Sequence, residues 1–200
     1  MSEQTQRIAT VERSTKETEI KVSIDLDGKG QFSGSTGIAF FDHMLEQIAR
    51  HGHMDLSIDC KGDLQIDSHH TVEDVGICLG QALVKAVGEK RGINRYGDAR
   101  VPMEEALCET VLDFCGRAYL HFDAPLSRER IGGFDVEVTE DFFRALSSNA
   151  GITMHIRVPH GRNEHHIVEG IFKSFARALM QSVRIHSDRQ DQLPSTKGML

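Results

Sequence analysis

His69-His70-Thr71-Val72-Glu73 and His165-His166-Ile167-Val168-Glu169 are two copies of one pattern, a histidine doublet with a glutamate three positions beyond it. The second copy follows the first by 96 positions (165 minus 69). Apolar residues at helical spacing follow each copy, over residues 75–87 and 171–183. The sequence therefore predicts two long helices, each opened by this pattern, and a chain built from two similar units.

The doublets point to metal binding. Within each predicted helix the first histidine and the glutamate stand four positions apart and share one face. Neighbouring histidines point about 100° apart around the helix, so one ion can hardly accept both. The economical interpretation is two metal ions, each using one histidine of each doublet. Imidazole together with carboxylate suits borderline divalent ions such as Mn, Fe, Zn or Ni.

The composition excludes several classes of protein. With 200 residues, 39 % of them hydrophobic, the chain is globular, with one or two domains and a real core. No apolar run reaches the roughly 18 residues of a membrane helix, and Met1–Gln4 opens no signal-peptide pattern. The net charge of -7 and the absence of Trp argue against a nucleic-acid binder with a base-stacking platform. The four cysteines show no Cys-x-x-Cys spacing, and we expect reduced, mostly buried thiols in a cytoplasmic protein.

The two units follow the same order of elements. A helix is predicted from Phe41 to near Gly52 and another from Asp141 to near Gly151, each followed by a strand-like alternation, over residues 54–60 and 152–158. Further strands are predicted at residues 20–26, 109–114, 118–122 and 131–136. We therefore expect an α+β fold of two tandem halves, each a small mixed or antiparallel sheet with helices packed on one face. The halves span approximately residues 10–97 and 98–190 of a single domain over 1–200, and residues 191–200 form a C-terminal loop.

Ordered motifs along nearly the whole chain resemble those of the imidazoleglycerol-phosphate dehydratase family of histidine biosynthesis. These motifs are Arg13-x-Thr15-x-Glu17-Thr18, Phe41-Asp42-His43-Met44-Leu45, Asp67-x-His69-His70-x-x-Glu73-Asp74, Arg95-Tyr96-Gly97, Pro102-Met103-Glu104-Glu105, Gly116-Arg117, Asn163-x-His165-His166-x-x-Glu169 and Pro194-Ser195-Thr196-Lys197-Gly198. The resemblance implies a fold like that of ribosomal protein S5 domain 2 and a cytoplasmic lyase. It also implies a large homo-oligomer of octahedral symmetry built from trimers, with two Mn²⁺ per active site and ligands from neighbouring subunits.

The resemblance also assigns roles to residues. The family's metal-ligand positions are occupied by His43, His69, His70, Glu73, His165, His166 and Glu169. Its catalytic positions correspond to Glu17, His69 and Glu169. Its substrate and phosphate positions correspond to Glu17, His43, His51, His69, Arg95, Arg117, Lys173, Ser195, Thr196 and Lys197. At one further ligand position the family usually has a histidine, whereas this chain has Asp141, a carboxylate that can still bind Mn²⁺.

The implied reaction explains the need for metal. The substrate is a glycerol phosphate with an imidazole ring, and the hydrogen to be removed is not acidic because no carbonyl lies beside it. A ring held as imidazolate between two metals can push electrons toward the neighbouring carbon. The hydroxyl then leaves, a diazafulvene forms, and the next carbon becomes acidic enough for a positioned base. Metal ions acting as Lewis acid and template fit this role.

Other interpretations of the same residues remain open at this point. Glu17 is the acid–base candidate, but it is also typical of a solvated charge on an edge strand, and His51 is also compatible with a helix C-cap. His53, His121, His155, His160 and His186 are expected to be structural or solvated. The rival classes are a dinuclear metallohydrolase, whose Asp-x-His signature would precede a strand end whereas the doublets here open helices, and a metal store or sensor, which leaves Ser195-Thr196-Lys197 unexplained.

Overall fold

The computed structural model describes residues 6–200, so the prediction made for Met1–Gln4 lies outside it. Within that range the strands and helices follow in the order β1 (Ile8–Ser14), β2 (Thr18–Asp25), β3 (Phe32–Ser35), α1 (Ala39–Gly52), β4 (Asp55–Gly62), α2 (His69–Val87), β5 (Tyr96–Met103), β6 (Ala106–Asp113), β7 (Tyr119–Asp123), β8 (Arg130–Ile131), β9 (Phe134–Asp135), α3 (Val138–Ala150), β10 (Thr153–His160) and α4 (Glu164–Val183). None of these helices is long and apolar enough to cross a membrane.

Two four-stranded sheets have the same topology. Their strand orders are β1-β2-β4-β3 and β5-β6-β10-β7. In each sheet the first three strands in this order pair antiparallel with their neighbours. The last strand in this order, the edge strand β3 or β7, pairs in parallel with the strand beside it, β4 or β10. The predicted fold class, α+β with two similar tandem halves, is confirmed, and both sheets are mixed.

The helices are exchanged between the halves. The long helix of each half covers its own sheet, α2 on β1, β2 and β4, and α4 on β5, β6 and β10. The short helices cross over, because α1 packs mainly against α4 and α3 packs against α2. Phenylalanines join the helices, with the ring centroids of Phe41 and Phe142 5.4 Å apart and those of Phe142 and Phe172 5.3 Å apart. All three rings are fully buried, so the helix layer forms one continuous core.

A glycine sets the close approach of α2 to α3. A Cβ atom added at Gly76 would lie 2.7 Å from the carbonyl oxygen of Phe142. No side chain fits in that space, so the two helix backbones can touch. This contact lies within two turns of the doublet at the start of α2 and therefore fixes the distance between the two helices near it.

The sequence-based prediction missed three strands. β1, β3 and β5 went unrecognised because few of their residues are buried and apolar, Ala9 and Val11 in β1 and none in β3. Residues 131–136 form part of the short β8–β9 hairpin rather than a longer strand. The predicted cysteine state is confirmed, because all four are free and only Cys60 is not fully buried. Burial raises the pKa of the Cys60 and Cys108 thiols to about 12.

Candidate active site

One histidine–carboxylate cluster lies between α1 and α4. His43 Nε2 lies 3.3 Å and His165 Nε2 3.0 Å from the same oxygen, Oε2 of Glu169. Asn163 caps α4, and its side-chain oxygen accepts the backbone N–H of His165 at 2.9 Å. The cap fixes the first turn of the helix, so His165 and Glu169 share the face turned toward His43. Ligand atoms of these three side chains all lie within 4.8 Å of one another, close enough to hold a single ion.

Lys173 adds a positive charge to this cluster. It stands one turn after Glu169 on α4, and its Nζ lies 2.5 Å from Glu169 Oε1. Burial raises the pKa of Glu169, but the hydrogen bond and charge of Lys173, with help from His165 and His43, outweigh this, so the pKa is lowered. Glu169 is therefore a buried carboxylate anion with one oxygen toward two imidazoles and the other toward an ammonium group.

A second cluster lies between α2 and α3. Oδ2 of Asp141 lies 3.6 Å from His69 Nδ1, and Oε2 of Glu73 lies 3.8 Å from His69 Nε2. Helices α1 and α3 both end in a left-handed residue, His53 and Gly151, and counting ten positions back from each reaches His43 and Asp141. Asp141 is thus the structural counterpart of His43. The position at which this chain differs from the usual histidine of the family therefore lies inside the second cluster.

The doublets divide as the helix geometry predicted. Whereas His69 and His165 face the neighbouring short helices, His70 faces Asp63 and Glu17, and His166 faces Glu105. The carboxylate partner raises the pKa of His70 and of His166. The hydrogen bond from His166, with two backbone N–H donors, lowers the pKa of Glu105 to about 2.

A single copy of the chain does not bring the two doublets together. Among residues 6–200, two groups of three potential ligands have their donor atoms within 4.8 Å, His43-His165-Glu169 and Glu104-Glu105-His166. Neither group contains a histidine from both doublets.

Most of the predicted phosphate residues lie at the C-terminal loop, whereas Lys173 lies apart from them, beside Glu169. Arg95 forms a bidentate ion pair with Asp113, at 2.7 and 3.0 Å, and donates to the carbonyl of Pro194 at 2.9 Å. Ser195 Oγ accepts the N–H of Lys197 at 3.2 Å, and a Cβ atom added at Gly116, next to Arg117, would lie 3.1 Å from the carbonyl carbon of Leu200. Within the described chain no hydrogen bond or ion pair connects this loop to the histidine clusters.

His51 belongs to the side of α1 that faces α4. Burial lowers its pKa, and the nearby charges of Lys173 and Arg177 lower it further. The C-cap interpretation of His51 is wrong, because His53 is the C-cap residue of α1. The other histidines behave as expected of structural or exposed side chains. The rings of His121 and His155 contact each other at a tilt of 38°, with centroids 5.4 Å apart, and His186 Nε2 lies 3.2 Å from Asn94 Oδ1.

Two carboxylates in this region were not singled out from the sequence. Asp63 carries no signal beyond its nearness to the first doublet. Glu105 lies within one of the family's motifs, but its contact with His166 could not be predicted from the sequence, because 61 positions separate the two residues.

Histidine–carboxylate clusters at the starts of two long helices, one of them with Lys173 beside it, are typical of an enzyme active site. The family model for imidazoleglycerol-phosphate dehydratase matches residues 36–179. An imidazoleglycerol-phosphate dehydratase of Pseudomonas aeruginosa is 53 % identical over 195 residues, 98 % of this chain and 99 % of that protein. One from Burkholderia thailandensis is 54 % identical over 194 residues, 97 % and 100 % of the two chains.

Solved structures agree with these sequence comparisons. The crystal structure of the dehydratase from Staphylococcus aureus matches with a TM-score of 0.81 and 39 % identity, covering 90 % of this chain and 99 % of that one. The Pyrococcus furiosus enzyme, solved in complex with (S)-C348, matches with a TM-score of 0.80 and 35 % identity, covering 95 % and 100 %. The chain belongs to the imidazoleglycerol-phosphate dehydratase family. It is a hydro-lyase of histidine biosynthesis that removes water from imidazoleglycerol phosphate, which excludes the metallohydrolase and metal-store alternatives.

Proposed function

We propose that this chain converts D-erythro-imidazole glycerol phosphate to imidazole acetol phosphate and water with two Mn²⁺ ions per active site, in the cytoplasm. The observation that carries the proposal is the group His43-His165-Glu169, whose donor atoms lie within 4.8 Å of one another, together with the looser contacts of His69 with Glu73 and Asp141. Their nitrogen and oxygen donors suit Mn²⁺. Counting the metal on dialysed protein, with about two ions per subunit expected, tests the proposal.

Neighbouring copies of the chain complete each site in this proposal. His70 and His166 point away from the clusters that hold His69 and His165, so they serve as ligands toward another copy. One chain then contributes to more than one site, and the sites form only at subunit contacts. A closed homo-oligomer of octahedral symmetry built from trimers, which the family resemblance implies, meets this requirement.

Glu17 is the proposed base. It lies in the turn between β1 and β2, where its backbone N–H donates to Thr15 Oγ1 at 3.1 Å. Its carboxylate is half-exposed and lies 3.9 Å from His70 Nε2. A substrate whose ring is held at His70 therefore has its glycerol carbons within reach of Glu17. A bound metal ion supplies Lewis acidity and a template for the ring and hydroxyl.

In the proposed reaction Glu17 takes the proton from the carbon next to the phosphate-bearing carbon. The hydroxyl on the ring-bearing carbon leaves, and the proton taken up by Glu17 is passed on to it to give water. The enol product becomes the ketone when its O–H proton moves to the ring-bearing carbon. His69 and Glu169 orient the substrate from the two clusters, and closed packing of α1 on α4 keeps bulk water from Glu169, which is 6 % exposed.

The phosphate group is bound, in this proposal, by Arg95, Arg117, Lys173 and the loop Ser195-Thr196-Lys197. Arg95 has two roles, because its pair with Asp113 leaves only part of the guanidinium for the ligand while its bond to Pro194 holds the loop. Arg117 and Lys197 are exposed side chains at the same loop. Cationic groups of this kind give strong, charge-assisted bonds to phosphate.

We expect Arg117→Ala, Lys197→Ala and Arg95→Ala to raise KM while leaving the metal content unchanged. Each charge-assisted contact is worth about 1.5–3 kcal/mol, or roughly 10- to 100-fold in affinity. Steady-state kinetics with inorganic phosphate as competitor measures the effect. The control is Arg157→Ala, since Arg157 is an exposed arginine on the outer face of β10. Equal inhibition by phosphate in the wild type and all three variants would place the phosphate pocket elsewhere.

We also expect metal to drive assembly. Ligands shared between copies bind metal only in the assembled state, so added Mn²⁺ shifts the equilibrium toward it. Metal-free protein should sediment as a smaller species, such as a trimer, and grow when Mn²⁺ is added. His165→Asn and His69→Asn should block this growth while the subunit stays folded, whereas His186→Asn should not. A fully active monomer at every metal concentration would rule out shared ligands.

A further inference from the structure

The second histidine of each doublet is held by a carboxylate at its Nδ1 atom. His70 Nδ1 lies 3.0 Å from Asp63 Oδ2 and 3.2 Å from Oδ1. His166 Nδ1 lies 2.7 Å from Glu105 Oε2. These are hydrogen-bond distances, whereas the contacts of His69 with Asp141 and Glu73 are longer, at 3.6 and 3.8 Å.

This contact determines which ring nitrogen can bind a metal. An ionised carboxylate only accepts hydrogen bonds, so the proton must sit on Nδ1. In the neutral imidazole Nε2 then carries the free lone pair. For His70 this atom faces outward toward Glu17, 3.9 Å away. By the same argument the free lone pair of His166 lies on Nε2.

The two carboxylates come from different places in the fold. Asp63 lies directly after β4, in the segment that leads to α2, whereas Glu105 lies in the turn between β5 and β6. The two halves share their topology, yet they reach the same Nδ1 contact from elements that do not correspond. The same Nδ1 contact is therefore formed by two different routes and does not follow from the repeated sequence alone.

The two carboxylates differ in their other contacts. Glu105 Oε1 also accepts the backbone N–H groups of Arg162 and Asn163, at 3.0 and 2.8 Å, and so holds the segment that starts α4. The hydrogen bonds of the Asp63 side chain within residues 6–200 all go to His70. Asp63 therefore offers the cleaner test, because its replacement disturbs no backbone contact.

We infer that Asp63 and Glu105 are positioning residues, which hold His70 and His166 as Nδ1–H tautomers with Nε2 presented to the metal ions. The inference deepens the proposed function and rests on it only for the identity of the ligand that Nε2 meets. Carboxylate partners of this kind orient ligating histidines, and their loss typically weakens metal binding about 10- to 100-fold.

The first experiment needs no metal. Metal-free protein labelled with ¹⁵N-histidine is compared by solid-state NMR as wild type, Asp63→Asn and Glu105→Gln, with His70→Asn and His166→Asn used to assign the signals. We expect both histidines to be Nδ1–H tautomers in the wild type. Each amide variant should lose this preference at its own partner, because an amide can present either a donor or an acceptor. An Nε2–H tautomer in the wild type would overturn the inference.

The second experiment measures Mn²⁺ affinity by competition with a chelator. Asp63→Asn should weaken binding through His70 about 10- to 100-fold, and Glu105→Gln should do the same through His166. The matched control is Asp67→Asn, which removes the same charge four residues away. Within residues 6–200 the Asp67 side chain accepts a hydrogen bond only from the backbone N–H of His69, at 2.8 Å, and asparagine keeps that acceptor.

The outcomes separate the inference from the proposed function. Weaker binding in both variants but not in the control supports it, and binding within about threefold of wild type in Asp63→Asn overturns it. If the wild type binds no Mn²⁺, the proposed metal dependence fails, and the tautomer spectra still decide whether Asp63 and Glu105 orient the two rings.

Discussion

Treatment with a strong chelator should abolish dehydration, and Mn²⁺ should restore it. No residue in the two clusters can by itself make the substrate's carbon-bound hydrogen acidic, so we expect the substrate's own ring, activated by metal ions, to serve as the electron sink. Turnover is followed by the ultraviolet absorbance of the product formed from imidazoleglycerol phosphate. Mg²⁺ should restore little activity, because it prefers oxygen ligands and these clusters are rich in imidazole.

Variants distinguish loss of metal from general damage. His165→Ala should behave like chelated wild type, since it removes a ligand that lies 3.0 Å from Glu169. His160→Ala, at the exposed end of β10, serves as the control and should keep its activity. Undiminished turnover in rigorously metal-free protein would rule out the metal-dependent mechanism while leaving the family assignment intact.

Glu17→Gln should reduce kcat by about 10²- to 10⁴-fold, the usual contribution of a general base. The amide keeps the size of the side chain but cannot take a proton. Metal content and KM should change little, because Glu17 lies outside both histidine–carboxylate clusters. Steady-state kinetics together with metal analysis measures both quantities.

Glu19→Gln is the matched control for this variant. Glu19 lies two positions after Glu17, in β2, and is an exposed glutamate with the same charge. It should retain full activity. A Glu17→Gln variant with wild-type kcat would leave Glu17 as the solvated surface charge that its sequence context also suggested.

Local patterns were sufficient to predict the elements that carry the site. The doublets open or nearly open α2 and α4, and the short helices start within three residues of Phe41 and Asp141. These features follow from helical periodicity, which is a property of neighbouring residues. Strand β3 could not be found in this way, because its sequence Phe32-Ser33-Gly34-Ser35 buries no apolar side chain completely.

Contacts between distant residues could not be predicted from the sequence. Arg95 was assigned to phosphate, yet its main partner is Asp113, on the adjacent strand of the same sheet. The contact of Glu105 with His166 depends on how β5 and β6 meet the start of α4. The roles taken from the family for metal, substrate and assembly remain predictions, because they concern ligands and neighbouring copies of the chain.

The packing of each short helix against the long helix of the other half has a consequence for when the metal site forms during synthesis of the chain. Each cluster combines residues from both repeats, His43 with His165 and His69 with Asp141. A nascent chain that ends before α3 holds the first doublet but neither complete cluster. Under the proposed ligand allocation, tight metal binding thus waits until both repeats have been synthesised, have packed together and have met a neighbouring copy. Metal binding then distinguishes a complete chain from a partial one, and a separately expressed first repeat should bind Mn²⁺ much more weakly.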